Sequence, residues 1–343
     1  MAMNIRTSII LCSVWIASTP LILGAGGLNA ESERIDDPAR PNTLERAVVY
    51  LKMEVPLWSR ENGCFSCHNN GDGARALIAA RRFGFDVPDR TLSDTITWLS
   101  EPTRWTVESA KRPSSDRPLA RVQFASALAD AVDAGLVQDR SLLLKAARLL
   151  IVDQAQDGGW IIGDSGAVGA PATYGAALAT WTARKTLARA DQTIFQNEIA
   201  RADRWIQNMP IQNIPAAAIA LLAIGDRYRS VAIDRFDPAS RDRLKAAIDL
   251  LVRSQGDEGG WGPFESSPPE PFDAALALIA LQSVVQTDRR VPGLIDRGRT
   301  YLQATQLPEG GWPATTRPAG GESYAEHVST SAWATIALIQ IHK

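Results

Sequence analysis

The feature of this sequence that most constrains its fold is an internal repeat. Three segments consist of an apolar stretch with helical periodicity, a glutamine, an acidic residue and Gly-Gly-Trp: AARLLIVDQAQDGGW at 146–160, AIDLLVRSQGDEGGW at 247–261 and RTYLQATQLPEGGW at 299–312. Each is followed by a loop rich in Pro, Gly and Ser and then by a helical stretch of small residues, such as FDAALALIALQ. Repeated hairpins of this kind bury their apolar surface by stacking on their neighbours.

Weaker copies of the same pattern fill the rest of the chain. They pair AVVYLKMEVPLWSRENG with ARALIAARRFG, TITWLSEPTRW with FASALADAVDAG, and ADRWIQNMP with IPAAAIALLAIG. The copies recur about every fifty residues, which is typical of helical repeat proteins. No stretch shows the sustained two-residue alternation of a β-strand. The sequence therefore predicts an all-α chain of about six helical hairpins.

The repeated helix ends at 156–160, 255–261 and 306–312 resemble the QW motif of squalene and oxidosqualene cyclases. The wider family includes protein prenyltransferase β subunits and complement-type thioester domains. The resemblance implies an α/α toroid, with one ring of helices inside another, and six hairpins would close a single ring. We therefore expect residues 42–343 to form one α/α toroid. The motif tryptophans are interpreted as packing residues, since aromatic side chains at repeated helix ends pack neighbouring repeats together.

The chain lacks the sequence motifs that carry the activities of these families. There is no clustered Asp-x-Asp-Asp acid, no complete set of the Asp, Cys and His zinc ligands of the prenyltransferases, and no Gly-Cys-Gly-Glu-Gln thioester sequence. Asp72 and Asp273 stand alone near the starts of predicted inner helices, where an N-cap or first-turn role is expected. The sequence assigns no catalytic residue, and we expect neither squalene cyclisation nor prenyl transfer.

The N-terminal segment has the pattern of a signal peptide. Arg6 precedes an apolar run at 9–23, and small residues follow up to Ala30. We predict a cleaved signal peptide at 1–30, a loosely ordered lead-in at 31–41 and export to the periplasm or beyond; an uncleaved anchor is the alternative. The net charge is −2, with acidic and basic residues mixed throughout. This pattern predicts no nucleic-acid partner and no strong membrane association after cleavage.

Two of the three cysteines and one of the three histidines lie in Cys64-Phe65-Ser66-Cys67-His68. This sequence matches the attachment motif of c-type haem, in which two thiols bind the porphyrin vinyl groups and the histidine is an axial ligand. The motif predicts haem c bound by Cys64, Cys67 and His68. Two alternatives remain open: a zinc site that uses the same side chains, and a disulfide between Cys64 and Cys67.

A second histidine is brought to this motif by the repeat alignment. Aligning ALIA at 76–79 with ALIA at 277–280, and the fifth hairpin with the sixth, places His68 opposite Glu326, next to His327. In a closed ring the first and sixth hairpins are neighbours. His327 is therefore predicted as the sixth haem ligand or the fourth zinc ligand, so that His68 and His327 would be the metal ligands.

These observations lead to three hypotheses about function. The first is an exported haem protein that serves electron transfer or redox sensing with a partner protein. The second is a toroid whose cavity holds an isoprenoid or another apolar ligand, with the cysteine motif as a structural clasp. The third is a scaffold that binds other proteins.

Overall fold

The structure is a computed structural model that describes residues 42–105, 116–163, 168–229, 231–317 and 322–342. The predicted signal peptide and lead-in lie outside these residues. The described residues contain no β-strand. Their helices form six hairpins: α1 (Thr43–Asn62) with α2 (Ala74–Phe83), α3 (Asp89–Leu99) with α4 (Arg117–Asp133), α5 (Ser141–Ile151) with α6 (Gly175–Asp191), α7 (Gln196–Asn208) with α8 (Ile214–Arg227), α9 (Pro238–Ser254) with α10 (Pro271–Ser283), and α11 (Val291–Thr305) with α12 (Tyr324–Ile341).

The even-numbered helices form a closed inner ring. Each packs against the next along the series α2, α4, α6, α8, α10 and α12, and α12 packs against α2. Each odd-numbered outer helix packs against its own inner helix, against the inner helix of the preceding hairpin, or against both. The predicted all-α toroid of six hairpins is thereby confirmed.

Burial explains why the two kinds of helix have different sequences. Outer helix α5 buries one stripe formed by Leu143, Ala146, Ala147 and Leu150, which is the spacing of an amphipathic helix. Inner helix α10 buries every residue from 271 to 281, and all of them except Asp273 are apolar. The small residues of the inner helices let six of them approach around one axis.

The glutamine of each strong repeat joins its hairpin to the next outer helix. In the sixth hairpin, Gln306 donates from Nε2 to the carbonyl oxygens of Gly310 and Thr43, both at 2.8 Å. Gly310 has a φ of 101°, and a Cβ there would lie 2.4 Å from the carbonyl oxygen of Arg46. Thr43 and Arg46 belong to α1, so this joint closes the ring.

The same joint recurs at the third and fifth hairpins. Gln154 donates to the carbonyl oxygen of Glu198 in α7, and Gln255 donates to that of Leu294 in α11, each at 3.0 Å. The first repeated glutamine is therefore Gln154. The motif of that hairpin begins two residues earlier than the 156–160 segment predicted from the sequence.

The motif tryptophans have the packing role predicted for them. Trp160, Trp261 and Trp312 are fully buried. Each donates its indole N–H to a carbonyl oxygen ten residues earlier in the outer helix, at 2.8–2.9 Å. A buried indole N–H needs such a partner, so the tryptophan fixes the return of the chain toward the inner ring.

Candidate functional site

The cysteine motif lies in the turn between α1 and α2. Gly63 ends α1 with a φ of 59°, and residues His68–Gly73 form a π-helical segment that leads directly into α2. Cys64 and Cys67 are free thiols and are partly buried. The indole N–H of Trp58 donates to Cys64 Sγ at 3.2 Å. Burial raises the pKa of Cys67 to about 12, so its thiol is protonated at neutral pH.

Two buried asparagines hold the π-helical segment against its own hairpin and the next. Asn70 donates to Thr95 Oγ1 at 2.8 Å and to the carbonyl oxygen of Val55 at 3.2 Å. Asn69 donates to Tyr324 Oη at 2.8 Å, which connects the segment to α12. Single π-turns are frequent at functional sites, and here the turn sets the direction of the residues that follow the cysteines.

His68 points its ring toward α12. Its Nδ1 lies 3.0 Å from Ser329 Oγ, and Ser329 Oγ donates to Asp72 Oδ2 at 3.0 Å. Burial lowers the pKa of His68 to about 4, so the imidazole is neutral at neutral pH. Because the single proton of the Ser329 hydroxyl is donated to Asp72, Ser329 accepts from Nδ1–H of His68. This tautomer leaves a lone pair on Nε2 of His68.

Asp72 is the centre of a buried network that joins four hairpins. Its carboxylate accepts from Gln123 Nε2 at 2.8 Å, from Ser329 Oγ, from Trp333 Nε1 at 3.3 Å and, through a short hydrogen bond, from Tyr174. Burial raises the pKa of Asp72, while Arg75 at 3.8 Å and the hydrogen bonds act in the opposite direction.

The backbone of Tyr174 is strained where it meets this network. Tyr174 has a φ of 61°, which is rare for a residue with a side chain. It lies immediately before α6 and is fully buried. Strain of this kind is commonly found where a side chain must reach a defined point, and here the hydroxyl reaches Asp72.

Asp273 is a second buried carboxylate, in α10. It forms an ion pair with Arg317, which also lies 3.2 Å from Glu270. Burial raises the pKa of Asp273 to about 7, with Arg317 opposing the shift and Glu270 adding to it. Asp273 does lie in the first turn of its helix, as predicted.

The predicted helix-end position is therefore correct for Asp273 and wrong for Asp72. Asp72 caps no helix, because α2 begins two residues later and its carboxylate is used by side chains of other hairpins. The Asp273 carboxylate accepts a hydrogen bond from the Arg317 guanidinium. Gln123, Tyr174 and Arg317 could not be predicted from the sequence, since they are separated from their partners by 44 to 102 residues.

His327 lies on a different face of α12 from Ser329. Its ring packs on Tyr50 with centroids 5.6 Å apart, and its Nε2 lies 3.8 Å from Glu309. Residues two apart on a helix point in nearly opposite directions, so His327 faces away from the side chain that binds His68. The predicted proximity of the first and sixth hairpins is correct, but the contacts do not bring the two histidines together.

The zinc alternative gains no support from the arrangement. Within the part of the chain that the structure describes, no group of three or more His, Cys, Asp or Glu side chains could hold a metal ion. Aromatic side chains surround the motif: Trp58 stacks on Tyr324 with ring centroids 5.7 Å apart, and Phe65 stacks on Trp98 at 4.7 Å. No described helix is both long enough and apolar enough to span a membrane.

One segment of the chain resembles a known sequence. No family model matches the chain. A stretch of 83 residues, 23% of this chain, is 36% identical to part of a drimenyl diphosphate synthase from Streptomyces showdoensis. The match spans only 15% of that protein.

Comparison with solved structures identifies the fold. The type II terpene cyclase MstE from Scytonema is 11% identical, with a TM-score of 0.55 over 88% of this chain and 97% of that one. A possible GH105-family protein from Salmonella enterica is 12% identical, with a TM-score of 0.54 over 92% and 99% of the two chains. The chain thus has a terpenoid-cyclase-like α/α-toroid fold, which proteins of different activity share.

Proposed function

We propose that this protein is an exported α/α-toroid haem protein. Cys64 and Cys67 would carry haem c through thioether bonds, His68 would be an axial ligand, and the protein would serve electron transfer or redox sensing. When bound, the haem would supply a one-electron redox centre. The predicted signal peptide favours this proposal, since it would direct the chain to a compartment in which c-type haem is attached.

The single observation that carries the proposal is the state of His68. A metal-binding imidazole must be neutral, and its second nitrogen is usually held by a hydrogen bond that fixes the ring. His68 is neutral, and its Nδ1–H is bound by Ser329, which is itself bound by Asp72. These contacts fit a histidine whose Nε2 would bind the haem iron.

The two thiols also favour haem over zinc. Zinc requires its ligands to converge on one point, whereas the vinyl groups of a porphyrin take two thiols at separate points. No three-ligand set converges among the described residues, while Cys64 and Cys67 are both free. A partner protein that exchanges electrons with the haem is part of the proposal.

The first test is to express the protein with and without a cytochrome c maturation system. With the system we expect a Soret band, and a haem that remains on the denatured chain and stains for peroxidase activity. Cys64→Ser combined with Cys67→Ser should abolish both signals. A disulfide between Cys64 and Cys67, with no porphyrin after co-expression, would contradict the proposal.

Ser329→Ala tests the role of the hydrogen bond on His68. We expect haem to remain attached while the iron spectrum and reduction potential change, because the His68 ring loses its orientation. Ser331→Ala is the matched control, since Ser331 is equally buried on α12 but accepts from the Trp312 amide at 2.9 Å. Equal spectra for the two variants would show that Ser329 does not orient the His68 ring.

The repeat alignment predicts His327 as the sixth haem ligand. Because its Nε2 faces Glu309, we expect the spectrum of His327→Ala to match that of the unmodified protein. A change from low-spin to high-spin iron would instead assign His327 to the haem.

Acid-initiated cyclisation of an isoprenoid is a second candidate, favoured by the likeness to a type II terpene cyclase whose structure has been determined with geranylgeranyl dihydroxybenzoate as substrate. An initiating acid must be strong and able to donate its proton to the substrate. Asp273 is a weakened acid with a pKa of about 7, and Asp72 is occupied by at least four donors. We expect no product from squalene or geranylgeranyl dihydroxybenzoate, and cyclised product lost in Asp273→Asn would reverse this conclusion.

A further inference from the structure

Few side chains of this protein could bind a haem iron on the side opposite His68. Haem proteins use histidine, methionine, cysteine thiolate or tyrosine as axial ligands. The sequence has three histidines, four methionines and three cysteines, of which Met1, Met3 and Cys12 lie in the predicted signal peptide. The other two cysteines would carry the porphyrin. The remaining candidates are two histidines, two methionines and the tyrosine that stacks beside the motif: His327, His342, Met53, Met209 and Tyr324.

The two other histidines face away from the motif or lie far from it. His327 packs on Tyr50, and its Nε2 lies 3.8 Å from Glu309. The ring of His342 meets that of Phe83 at the end of α2, with centroids 5.8 Å apart. Helix α2 separates this contact from the π-helical segment, and a helix of ten residues spans about 15 Å. Neither imidazole is placed to bind an iron held by the motif.

The two methionines are also distant from the motif or turned away from it. Met209 follows α7 in the fourth hairpin, which is opposite the first in a ring of six, and its side chain is buried. Met53 lies in α1 and is 55% exposed. It is two residues from both Leu51 and Val55, which are fully buried, and positions two apart on a helix point in nearly opposite directions. Met53 therefore points to solvent, whereas the carbonyl oxygen of Val55 accepts from the π-helical segment.

The hydroxyl of Tyr324 already has a donor and an acceptor as partners. It donates to Glu54 Oε2 at 2.6 Å and accepts from Asn69 Nδ2 at 2.8 Å. A side chain that binds a metal ion through an acidic group must lose its proton, so coordination would break the bond to Glu54. Tyr174 likewise donates its hydroxyl to Asp72. Both hydroxyls therefore have partners that iron binding would displace.

We propose that His68 is the single axial ligand that this chain supplies, and that the sixth position of the iron binds a small neutral diatomic molecule, carbon monoxide or nitric oxide. The inference rests on the haem attachment proposed above. The groups on the distal side of a haem decide between ligand binding and electron transfer. Because no described histidine or methionine is placed to fill that side, the protein is suited to sensing such a ligand rather than to electron transfer alone.

Spectroscopy of the protein expressed with the cytochrome c maturation system tests this inference. Haem that stays on the denatured chain shows attachment separately. We expect the ferric protein to be high-spin and to become low-spin when imidazole is added. The reduced protein should bind carbon monoxide, with a shift of its Soret band. Low-spin iron in both oxidation states, with no carbon monoxide binding, would overturn the inference and leave haem attachment intact, whereas a chain without porphyrin would overturn both.

Three variants check the ligand assignment. Met53→Leu and His327→Ala should match the unmodified protein in spin state and in carbon monoxide affinity, because neither side chain binds the iron. Conversion from low-spin to high-spin iron in either variant would identify that residue as the sixth ligand and contradict the inference. His68→Ala should instead change the ferrous spectrum while the haem stays attached, since the imidazole is lost. An unchanged spectrum in His68→Ala would show that another side chain binds the iron.

Discussion

The first and fifth hairpins place a carboxylate at the same point of the repeat but stabilise it in different ways. Asp72 and Asp273 are both fully buried and are separated by the same 201 residues that separate the ALIA segments at 76–79 and 277–280. Asp72 accepts mainly from neutral groups of other hairpins, whereas Asp273 relies on the guanidinium of Arg317.

This difference shows that the repeat conserves a position while the surroundings determine its chemistry. At Asp72 four donors share one negative charge, and His68 is connected through Ser329 to the same carboxylate. Arg317 is the cation paired with both Asp273 and Glu270. Protonation of Asp273 therefore replaces part of the stabilisation that Arg317 provides. The first arrangement orients neighbouring side chains, and the second responds to pH.

The largest expected effect comes from removing the cation of the fifth hairpin. Arg317→Met leaves Asp273 and Glu270 without a partner, and breaking a buried pair in this way costs about 3–5 kcal/mol. Urea unfolding measures the loss. The triple variant with Asp273→Asn and Glu270→Gln should recover most of it, and exposed Arg148→Met should cost little. A small loss in Arg317→Met would show that Asp273 does not depend on the ion pair.

Asp72→Asn should have the next largest effect. An amide in this place directs its own N–H groups toward donors such as Gln123 and Ser329, and each buried group left unpaired costs about 1–3 kcal/mol. We expect a loss of about 2 kcal/mol in urea unfolding at pH 7, greater than that of Asp273→Asn under the same conditions. The reverse order would mean that the two carboxylates are stabilised alike.

The pH dependence of stability should separate the two sites further. The pKa of Asp273 is about 7 in the folded protein and about 3.9 in an unfolded chain. Protonated Asp273 therefore favours the folded state below about pH 4, and this contribution is lost as the pH rises to about 7.

Relative to Asp273→Asn, the unmodified protein should thus lose on the order of 1 kcal/mol or more over that interval. Unfolding free energies of both proteins at a series of pH values measure the difference. A difference that does not change with pH would place the pKa of Asp273 near its ordinary value.

The smallest effect is expected for Tyr174→Phe. It removes one of several donors to Asp72, and a single hydrogen bond contributes about 1 kcal/mol. Tyr228→Phe is a useful comparison, because Tyr228 also donates to a carboxylate, that of Asp237, at a more exposed site. Thermal unfolding compares the two variants, and a greater loss at Tyr228 would argue against a special role for the buried network.

The fold could be predicted because it depends on local patterns that recur along the chain. Helical periodicity, Gly-Gly-Trp ends and small-residue helices each recur, and six copies are enough to close a ring. The sequence does not determine the register of the third repeat, because Gln154 and Gln156 lie close together and only the contact with α7 shows that Gln154 makes the joint.

The candidate site could be predicted only in part, because its partners are distant in sequence. The sequence identified Cys64, Cys67 and His68 from their spacing. It could not reveal that Ser329 meets His68 across 261 residues, or that His327 faces Tyr50 instead. These outcomes depend on the rotation of α12 about its own axis, and an alignment of repeats does not determine that rotation.

The joint between Gln306 and Thr43 has a consequence for how such a protein can change its size. An open solenoid can gain or lose a hairpin at its end, because each unit contacts only its neighbours. In this ring the last hairpin is bonded to the first, so an added hairpin would have to alter the angle at every other joint. The number of hairpins is therefore fixed by geometry, and variation should be confined to the loops. For the same reason, a circularly permuted chain with its termini joined and a new opening in a loop between hairpins should still close the ring.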